Sequence, residues 1–233
     1  MRIGLFDSGI GGLTVLNSFL KYHPNNEYFY YGDILNMPYG DKKIEELYEY
    51  AKNIIEYLNS KKVDIIIIAC GTISANLYDR LKEEVTIPIY SVINEVKEYF
   101  KENDYKKTLI LATTKTIDSH IFKKSLNHEV IEVACPKLVP LIESNDIVNI
   151  DKTLDEYIPK SEDFDSLVLG CTHYPIIKDQ IIKKINRNVK IIDMGEILAE
   201  RIKVEDSFKR VDLYFSKKTE YLDESVKKIL KNM

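Results

Sequence analysis

The sequence predicts an α/β fold built on mostly parallel sheets with helices on both faces. Three observations carry that expectation. Short apolar runs alternate along the chain with longer stretches whose apolar residues recur at helical spacing. Several of these runs, Ile65–Ile68 and Leu167–Leu169 among them, are apolar at every position, as strands buried on both faces are. The unusual polar residues collect where such runs stop: Asp7-Ser8, Asp33, Cys70 with Thr72, Thr113, Cys135, and Cys171-Thr172-His173. Ligands of open parallel sheets sit just beyond the carboxyl ends of the strands, so this distribution places a candidate site there.

Arg2–Phe6 reads as the first strand, and Asp7-Ser8-Gly9-Ile10-Gly11-Gly12 as the loop after it. Leu13–Tyr22 carries Leu13, Leu16, Phe19 and Leu20 at helical spacing. Glu27–Tyr31 is a second strand, followed by the turn-rich Gly32-Asp33 and Pro38-Tyr39-Gly40-Asp41. A helix from Lys43 to Ser60 puts Ile44, Leu47, Tyr48, Ala51, Ile54, Ile55 and Leu58 on one face. The strand Asp64–Ala69 delivers Cys70, and Ile73–Glu83 returns as a helix.

The unit then repeats. Ile89–Ser91, Thr108–Ala112 and Val130–Val133 read as strands; Asn94–Lys101 and Ile117–Leu126 read as helices between them. Leu138–Glu143 and Val148–Tyr157 are helical, and the next strand ends at Cys171. Pro175 suits the first turn of a helix Ile176–Ile185. A strand Lys190–Ile192, a helix Glu196–Ile202, an alternating edge strand Val211–Phe215 and an amphipathic helix Glu220–Leu230 complete the chain. Lys101–Lys107 is a charged surface turn close to which a lobe boundary falls.

The length, 233 residues, accommodates one large domain or two small α/β lobes, and 45% hydrophobic content supports a substantial core. Thirty-three Lys and Arg against 37 Asp and Glu, interspersed, leave a net charge of −4, so no global basic field recruits nucleic acid. Three sparsely spaced cysteines do not make a disulfide scaffold and fit a reducing compartment. Neither a signal pattern nor an apolar run near the ~20 residues that cross a bilayer is visible. The expectation is a cytoplasmic protein with no nucleic-acid or membrane partner.

The chemistry centres on two stretches with one grammar. Ile65-Ile66-Ile67-Ile68-Ala69-Cys70-Gly71-Thr72 and Leu167-Val168-Leu169-Gly170-Cys171-Thr172-His173-Tyr174-Pro175 each run a buried strand into a cysteine, a hydroxyl and the start of a helix. A thiol reacts as thiolate and needs a base, a cation or a helix N-terminus to become one near neutrality. Cys171 has His173 two residues on, and both cysteines precede helices. An isolated cysteine at a strand end is ordinarily inert and buried; two in matching contexts suggest half-sites that face one another. Cys135 lacks the companion pattern and reads as structural. A zinc site from Cys70, Cys135, Cys171 and His173 lacks the usual ligand spacing, so no metal is expected. His23, His120 and His128 read as solvated. The glycine-rich loop after Asp7 reads either as an anion cradle or as a tight strand-to-helix turn.

These residues resemble glutamate racemase of the aspartate/glutamate racemase superfamily. The likeness rests on Asp7-Ser8-Gly9-Ile10-Gly11-Gly12-Leu13-Thr14-Val15, Pro38-Tyr39-Gly40, Ala69-Cys70-x-Thr72, Cys135-Pro136-x-Leu138-Val139-Pro140-Leu141-Ile142-Glu143 and Gly170-Cys171-Thr172-His173-Tyr174-Pro175, five motifs in register over most of the chain. It implies an isomerase without pyridoxal phosphate or any other cofactor, which interconverts L- and D-glutamate and supplies the D-enantiomer for peptidoglycan. It implies two similar α/β lobes with the substrate in the cleft: residues 1–94 with 207–233, a discontinuous N-terminal lobe, and residues 95–206. It also implies a homodimeric assembly. By the same resemblance Cys70 takes the α-proton from D-glutamate and Cys171 from L-glutamate. Asp7 then serves the first thiol as a proton-handling partner, and Glu143 and His173 serve the second. Ser8, Pro38, Tyr39, Gly40, Gly71, Thr72, Thr113, Thr116 and Thr172 fall on substrate-binding positions.

Departures from the family pattern concern the substrate more than the acids and bases. Gly71 stands where asparagine is usual, Ile34-Leu35-Asn36 where Thr-Ala-Arg is typical, Lys115 where glycine is common, Phe122 where tyrosine is frequent, and Met194 where serine follows the aspartate. If position 71 only holds substrate, Gly71→Asn should leave or improve turnover on glutamate. A racemase of another acidic amino acid such as aspartate, and an acidic amino-acid binding protein without turnover, are the alternative readings.

Overall fold

In the computed structural model, which describes residues 1–230, the chain opens β1 (Arg2–Asp7), α1 (Leu13–Tyr22), β2 (Glu27–Gly32), α2 (Ile44–Ser60), β3 (Ile65–Ile68), α3 (Gly71–Glu84), β4 (Ile89–Ser91) and α4 (Val92–Glu102). It continues β5 (Lys107–Ala112), α5 (Thr114–Asp118), α6 (Ile121–Ser125), β6 (Glu129–Ala134), α7 (Leu138–Glu143), α8 (Ile147–Tyr157), β7 (Ser166–Gly170) and α9 (Lys178–Ile185). The last elements are β8 (Lys190–Asp193), α10 (Met194–Arg201), β9 (Arg210–Phe215) and α11 (Leu222–Ile229). Residues 231–233, the end of the last stretch assigned to the N-terminal lobe, lie outside the described residues.

The strands form two sheets, ordered β4-β3-β1-β2-β9 and β6-β5-β7-β8, and every pairing is parallel. This is the α/β architecture that the sequence predicts. The chain crosses from the first sheet to the second through α4 and returns to the first with β9, which pairs with β2 from Glu27↔Arg210 to Gly32↔Phe215. Parallel strands need crossover helices, and helices on both faces bury the central strands entirely. All four residues of β3 and all five of β7 are buried accordingly. No helix among the described residues is long and apolar enough to cross a membrane.

Polar side chains fix several helix starts. The Asn94 N–H donates to Ser91 Oγ at 3.3 Å at the head of α4, and the Gly195 and Glu196 N–H groups donate to Asp193 Oδ1 at 2.9 and 3.2 Å at the head of α10. On α2 the apolar stripe Leu47, Ala51, Ile54, Ile55, Leu58 is buried, as its spacing predicts.

The structure corrects three sequence expectations. The single helix expected over Ile117–Leu126 is two short ones, α5 and α6, separated by His120 in the left-handed region at φ 54°. Ser119 causes the break: its hydroxyl donates to the Thr116 carbonyl at 2.6 Å and accepts the Ile121 N–H at 3.2 Å, replacing the helical ladder. The turn still brings Phe122 fully into the core. The helix expected from Ile176 begins as a 3-10 turn over Tyr174–Ile177, with Pro175 inside it, before α9. His23 and His128, expected to be solvated, are half-buried and engaged: one ring nitrogen of His23 meets the Ala199 carbonyl at 2.7 Å, and one of His128 meets the Thr108 hydroxyl at 2.6 Å. His120 is exposed as expected and pairs with Glu132.

α10 packs against both α1 and α4, and its Leu198 and Ala199 share one core with Leu16 and Phe19 of α1. Phe19 is fully buried and meets the Tyr28 ring edge-on, centroids 6.3 Å apart. Phe19→Ala is therefore expected to cost about 3–5 kcal/mol, read as a lowered urea midpoint with an unchanged slope. A loss under about 1 kcal/mol would show that this seam is not the continuous core described here.

Candidate active site

The carboxyl ends of both sheets meet at one narrow cleft. Cys70, at the end of β3, and Cys171, at the end of β7, both line it. So do Ser8, Pro38, Tyr39, Gly40, Gly71, Thr72, Thr113 and Thr172. Three of the expected site residues stand behind the cleft wall and do not line it: Thr116 behind Thr113, with their hydroxyls 3.0 Å apart, Asp7, fully buried behind the glycine loop, and Glu143 behind His173. Sequence reasoning missed Met37, Asp41 and Thr114, which flank motif residues, and the apolar wall of Pro136, Val139 and Pro140. Cys135 also lines the cleft. Its thiol faces the Val133 carbonyl at 3.5 Å, and burial, the largest influence, pushes it up to about 12.

Cys70 caps α3, which starts at Gly71 and not, as expected, at Ile73. Burial pushes its thiol well above the ordinary range, and the Asp7 carboxylate adds to that. The N–H groups of Ile73 and Thr72, in the first turn of α3, oppose both by pointing at the sulfur. Asp7 is held by the N–H of Gly12 at 2.9 Å, the N–H of Gly9 at 3.3 Å and the Thr172 hydroxyl at 3.3 Å. Its carboxyl is nevertheless pushed up by burial, which outweighs the charge of His173 and these donors.

Cys171 has a different environment. Its sulfur is 3.7 Å from His173 Nδ1, and His173 Nε2 is 2.6 Å from Glu143 Oε1. Burial of the ring opposes its protonation, but the Cys171 sulfur and the Glu143 carboxylate outweigh burial and hold His173 well above the ordinary imidazole range. The result is a line from sulfur through imidazole to carboxylate, open to the cleft at the sulfur end.

The two sheets touch through these same residues. The Thr14 hydroxyl donates to the Thr172 carbonyl at 2.9 Å, and the hydroxyls of Thr72 and Thr113 lie 3.0 Å apart. A Cβ on Gly11 would sit 2.4 Å from His173 Nδ1, so only glycine allows α1 to approach the His173 turn. A Cβ on Gly71 would sit 2.8 Å from the Gly170 carbonyl oxygen. A larger side chain at position 71 therefore requires this contact to shift. Among the described residues no three of His, Cys, Asp and Glu converge on a point where a metal ion would sit.

Compared with known proteins, residues 21–202 match the family model described as Asp/Glu/Hydantoin racemase. The chain is 36% identical over 242 residues to the glutamate racemase of Aquifex aeolicus, an alignment covering 99% of this chain and 94% of that protein. Among solved structures it resembles a glutamate racemase isoform of Bacillus anthracis with a TM-score of 0.91 at 26% identity, covering 100% of this chain and 94% of that one. It resembles the Francisella tularensis glutamate racemase in complex with D-glutamate with a TM-score of 0.87 at 30% identity, covering 99% and 94%.

The His173 environment is testable by itself. Its ring, followed by NMR, is expected to stay protonated as the pH passes the ordinary value of 6.5, and Glu143→Gln is expected to bring the midpoint down. Because the folded value is raised, the stability that this group contributes is complete below the ordinary value and is lost as the pH rises through the folded one. An unshifted midpoint in the unmodified protein would contradict the Cys171–His173–Glu143 line.

Proposed function

The chain belongs to the Asp/Glu/hydantoin racemase family and is an isomerase; from that premise we propose that it interconverts L- and D-glutamate by proton transfer between two cysteines, without a cofactor. The carrying observation is that Cys70 and Cys171, from different sheets, line one cleft, each with its own proton-handling partners. The glutamate racemase relatives, one of them solved with D-glutamate, support glutamate as the substrate.

Inversion requires that the α-proton leave from one face and return on the other. One base per face does this without turning the substrate. Cys70, as thiolate, takes the proton from D-glutamate, and the Cys171 thiol gives its own to the opposite face; from L-glutamate the roles reverse. After one turnover the thiol and the thiolate have exchanged places, which suits a reversible reaction. Asp7 serves the first thiol; His173, backed by Glu143, serves the second. The burial that holds the Cys70 thiol up makes its thiolate scarce but strongly basic. Ser8, Pro38, Tyr39, Gly40, Gly71, Thr72, Thr113 and Thr172 hold the substrate, with Thr116 orienting Thr113. Among the described residues the lining includes no lysine or arginine, so backbone N–H groups, those at the head of α3 among them, and hydroxyls carry the two carboxylates. We assign the lobes to residues 1–94 with 207–233 and 95–206, and the D-glutamate to peptidoglycan in the cytoplasm.

The test is to incubate the protein with each enantiomer of glutamate and aspartate in heavy water and follow the α-proton. Racemisation and exchange are expected for glutamate; exchange on aspartate alone reassigns the substrate, and binding without exchange leaves only a binding protein. Cys70→Ala and Cys171→Ala are each expected to abolish racemisation while remaining folded. Each is expected to keep slow exchange, without inversion, on the one enantiomer that its remaining thiol serves. Full racemisation by either variant refutes the two-thiol scheme.

Gly71→Asn is expected to lower kcat/KM on glutamate at least about tenfold, because the new Cβ must push the Gly170 carbonyl, next to Cys171. Unchanged or improved turnover would mean that the two sheets separate freely at this point.

A further inference from the structure

Between the two sets of proton-handling groups runs a single stretch of backbone, at Gly9. On one side the Gly9 N–H donates to Asp7 Oδ2 at 3.3 Å. On the other side Gly9 lies against Glu143: a Cβ built on it would be 3.3 Å from Glu143 Oε1. From beneath, the Tyr30 hydroxyl donates to the Gly9 carbonyl at 2.6 Å. Tyr30 extends from the middle of β2, is 1% exposed and does not line the cleft, so this bond is its hydrogen-bonded link to the site loop.

We propose that Tyr30 is a positioning residue for the proposed racemisation: by pinning Gly9 it fixes the backbone that separates the Asp7 carboxylate from the Glu143 carboxylate and keeps each aimed at its own partner. The inference rests on the two-thiol reading. Three observations join in it. A buried hydroxyl is spent on a loop carbonyl and not on a strand neighbour. The same loop residue donates to Asp7. Asp7, Glu143 and Cys70 are the charges that bear on the Tyr30 phenol, which burial first and these groups next hold far above its ordinary range, so it remains a hydrogen-bond donor throughout the working pH range.

The sign of the effect follows from what faces Asp7. Cys70 approaches from β3, His173 and Thr172 from the turn after β7, Tyr30 from β2, and the N–H groups of Gly9 and Gly12 from its own loop. The two N–H groups favour the ionised carboxylate. Releasing Gly9 weakens one of them, so Asp7 holds its proton to higher pH and is less often ionised, and hence less often free to take a proton from Cys70, at the acid end of the working range.

Tyr30→Phe keeps the ring against Phe215, 5.7 Å between centroids, and removes only the hydroxyl. The variant is expected to lower kcat/KM about tenfold, mainly through kcat with KM little changed, and to move the acid limb of the pH profile upward. L- and D-glutamate have equal free energy in water, so kcat/KM must fall equally in both directions, which is an internal check on the measurement. A wild-type rate and pH profile overturn the proposal, and so does a rate loss with no change in the profile, which is what mere loosening of the fold produces. If Tyr30→Phe does not fold, Gly9→Ala displaces the same backbone from the Glu143 side; an unmoved pH profile in that variant overturns the proposal equally. Wild-type exchange of the α-proton from both enantiomers in heavy water is measured alongside. Its absence sinks the two-thiol reading itself, whereas its presence with an unaffected Tyr30→Phe sinks only the role of Tyr30.

Discussion

The arrangement depends on how closely two pieces of backbone approach where the sheets meet. The loop after β1 presses Gly11 against the turn after β7, and no Cβ fits between Gly11 and the His173 ring. The start of α3 comes equally close to the end of β7, at Gly71 and Gly170. Interiors are close-packed, and displacements there are not absorbed gradually. These two contacts therefore limit how the two sheets can sit against one another where the cleft opens. The Thr14–Thr172 and Thr72–Thr113 hydrogen bonds then fix the lateral register. The precision that proton transfer between fixed bases needs comes from what the glycines lack, more than from any one attractive contact.

That closeness has an electrostatic consequence. Asp7 and His173 are buried together with the two thiols, where an unpaired charge is costly. The chain meets the cost with fixed dipoles. Asp7 takes three donors from its own loop and from Thr172, and His173 takes Glu143 on its far nitrogen. Neither group is neutralised by a lysine or arginine, whose long side chain would occupy the cleft. Burial still wins at Asp7 and at Cys70, both of which are pushed toward their protonated forms, while the neighbouring sulfur and carboxylate win at His173.

Much of this was legible in the residues. Continuous apolar runs give away parallel strands, because only strands covered on both faces need them, and the repeated pattern of a run ending in Cys then Thr marked both half-sites. The resemblance named Asp7, Glu143 and His173, and the coordinates place each in a hydrogen-bond network within or behind the cleft wall. What periodicity could not reveal were contacts made by absence or by turning. Ser119 breaks a helix that its neighbours favour. Thr116 reaches the site only through Thr113. Gly71, read as a missing substrate contact, is also tightly packed, and the sequence could not show it because its neighbour Gly170 is remote in sequence. Tyr30 carried no signal at all, since a tyrosine in a strand is ordinarily core.

The two thiols share a local pattern and yet are served differently: Cys70 by a helix N-terminus and a carboxylate, Cys171 by an imidazole and a carboxylate behind it. A reaction that joins mirror-image molecules has an equilibrium constant of one, which invites the idea of mirror-image catalysts. None is needed. The surroundings of the substrate are built from L-residues on one scaffold and are never mirror images, so the two bound enantiomers differ in free energy even though the free ones do not. What must balance is the height of the shared barrier above the two free substrates, and that is the same by necessity. In the proposed reaction the partners of each thiol are therefore free to differ, provided that each thiol can both release and recover a proton in the presence of its own bound enantiomer. The duplicated strand-to-loop grammar supplies the placement of the sulfurs, and the unlike partners supply the tuning. The backbone at Gly9, lying between Asp7 and Glu143, is where the two sets of partners meet.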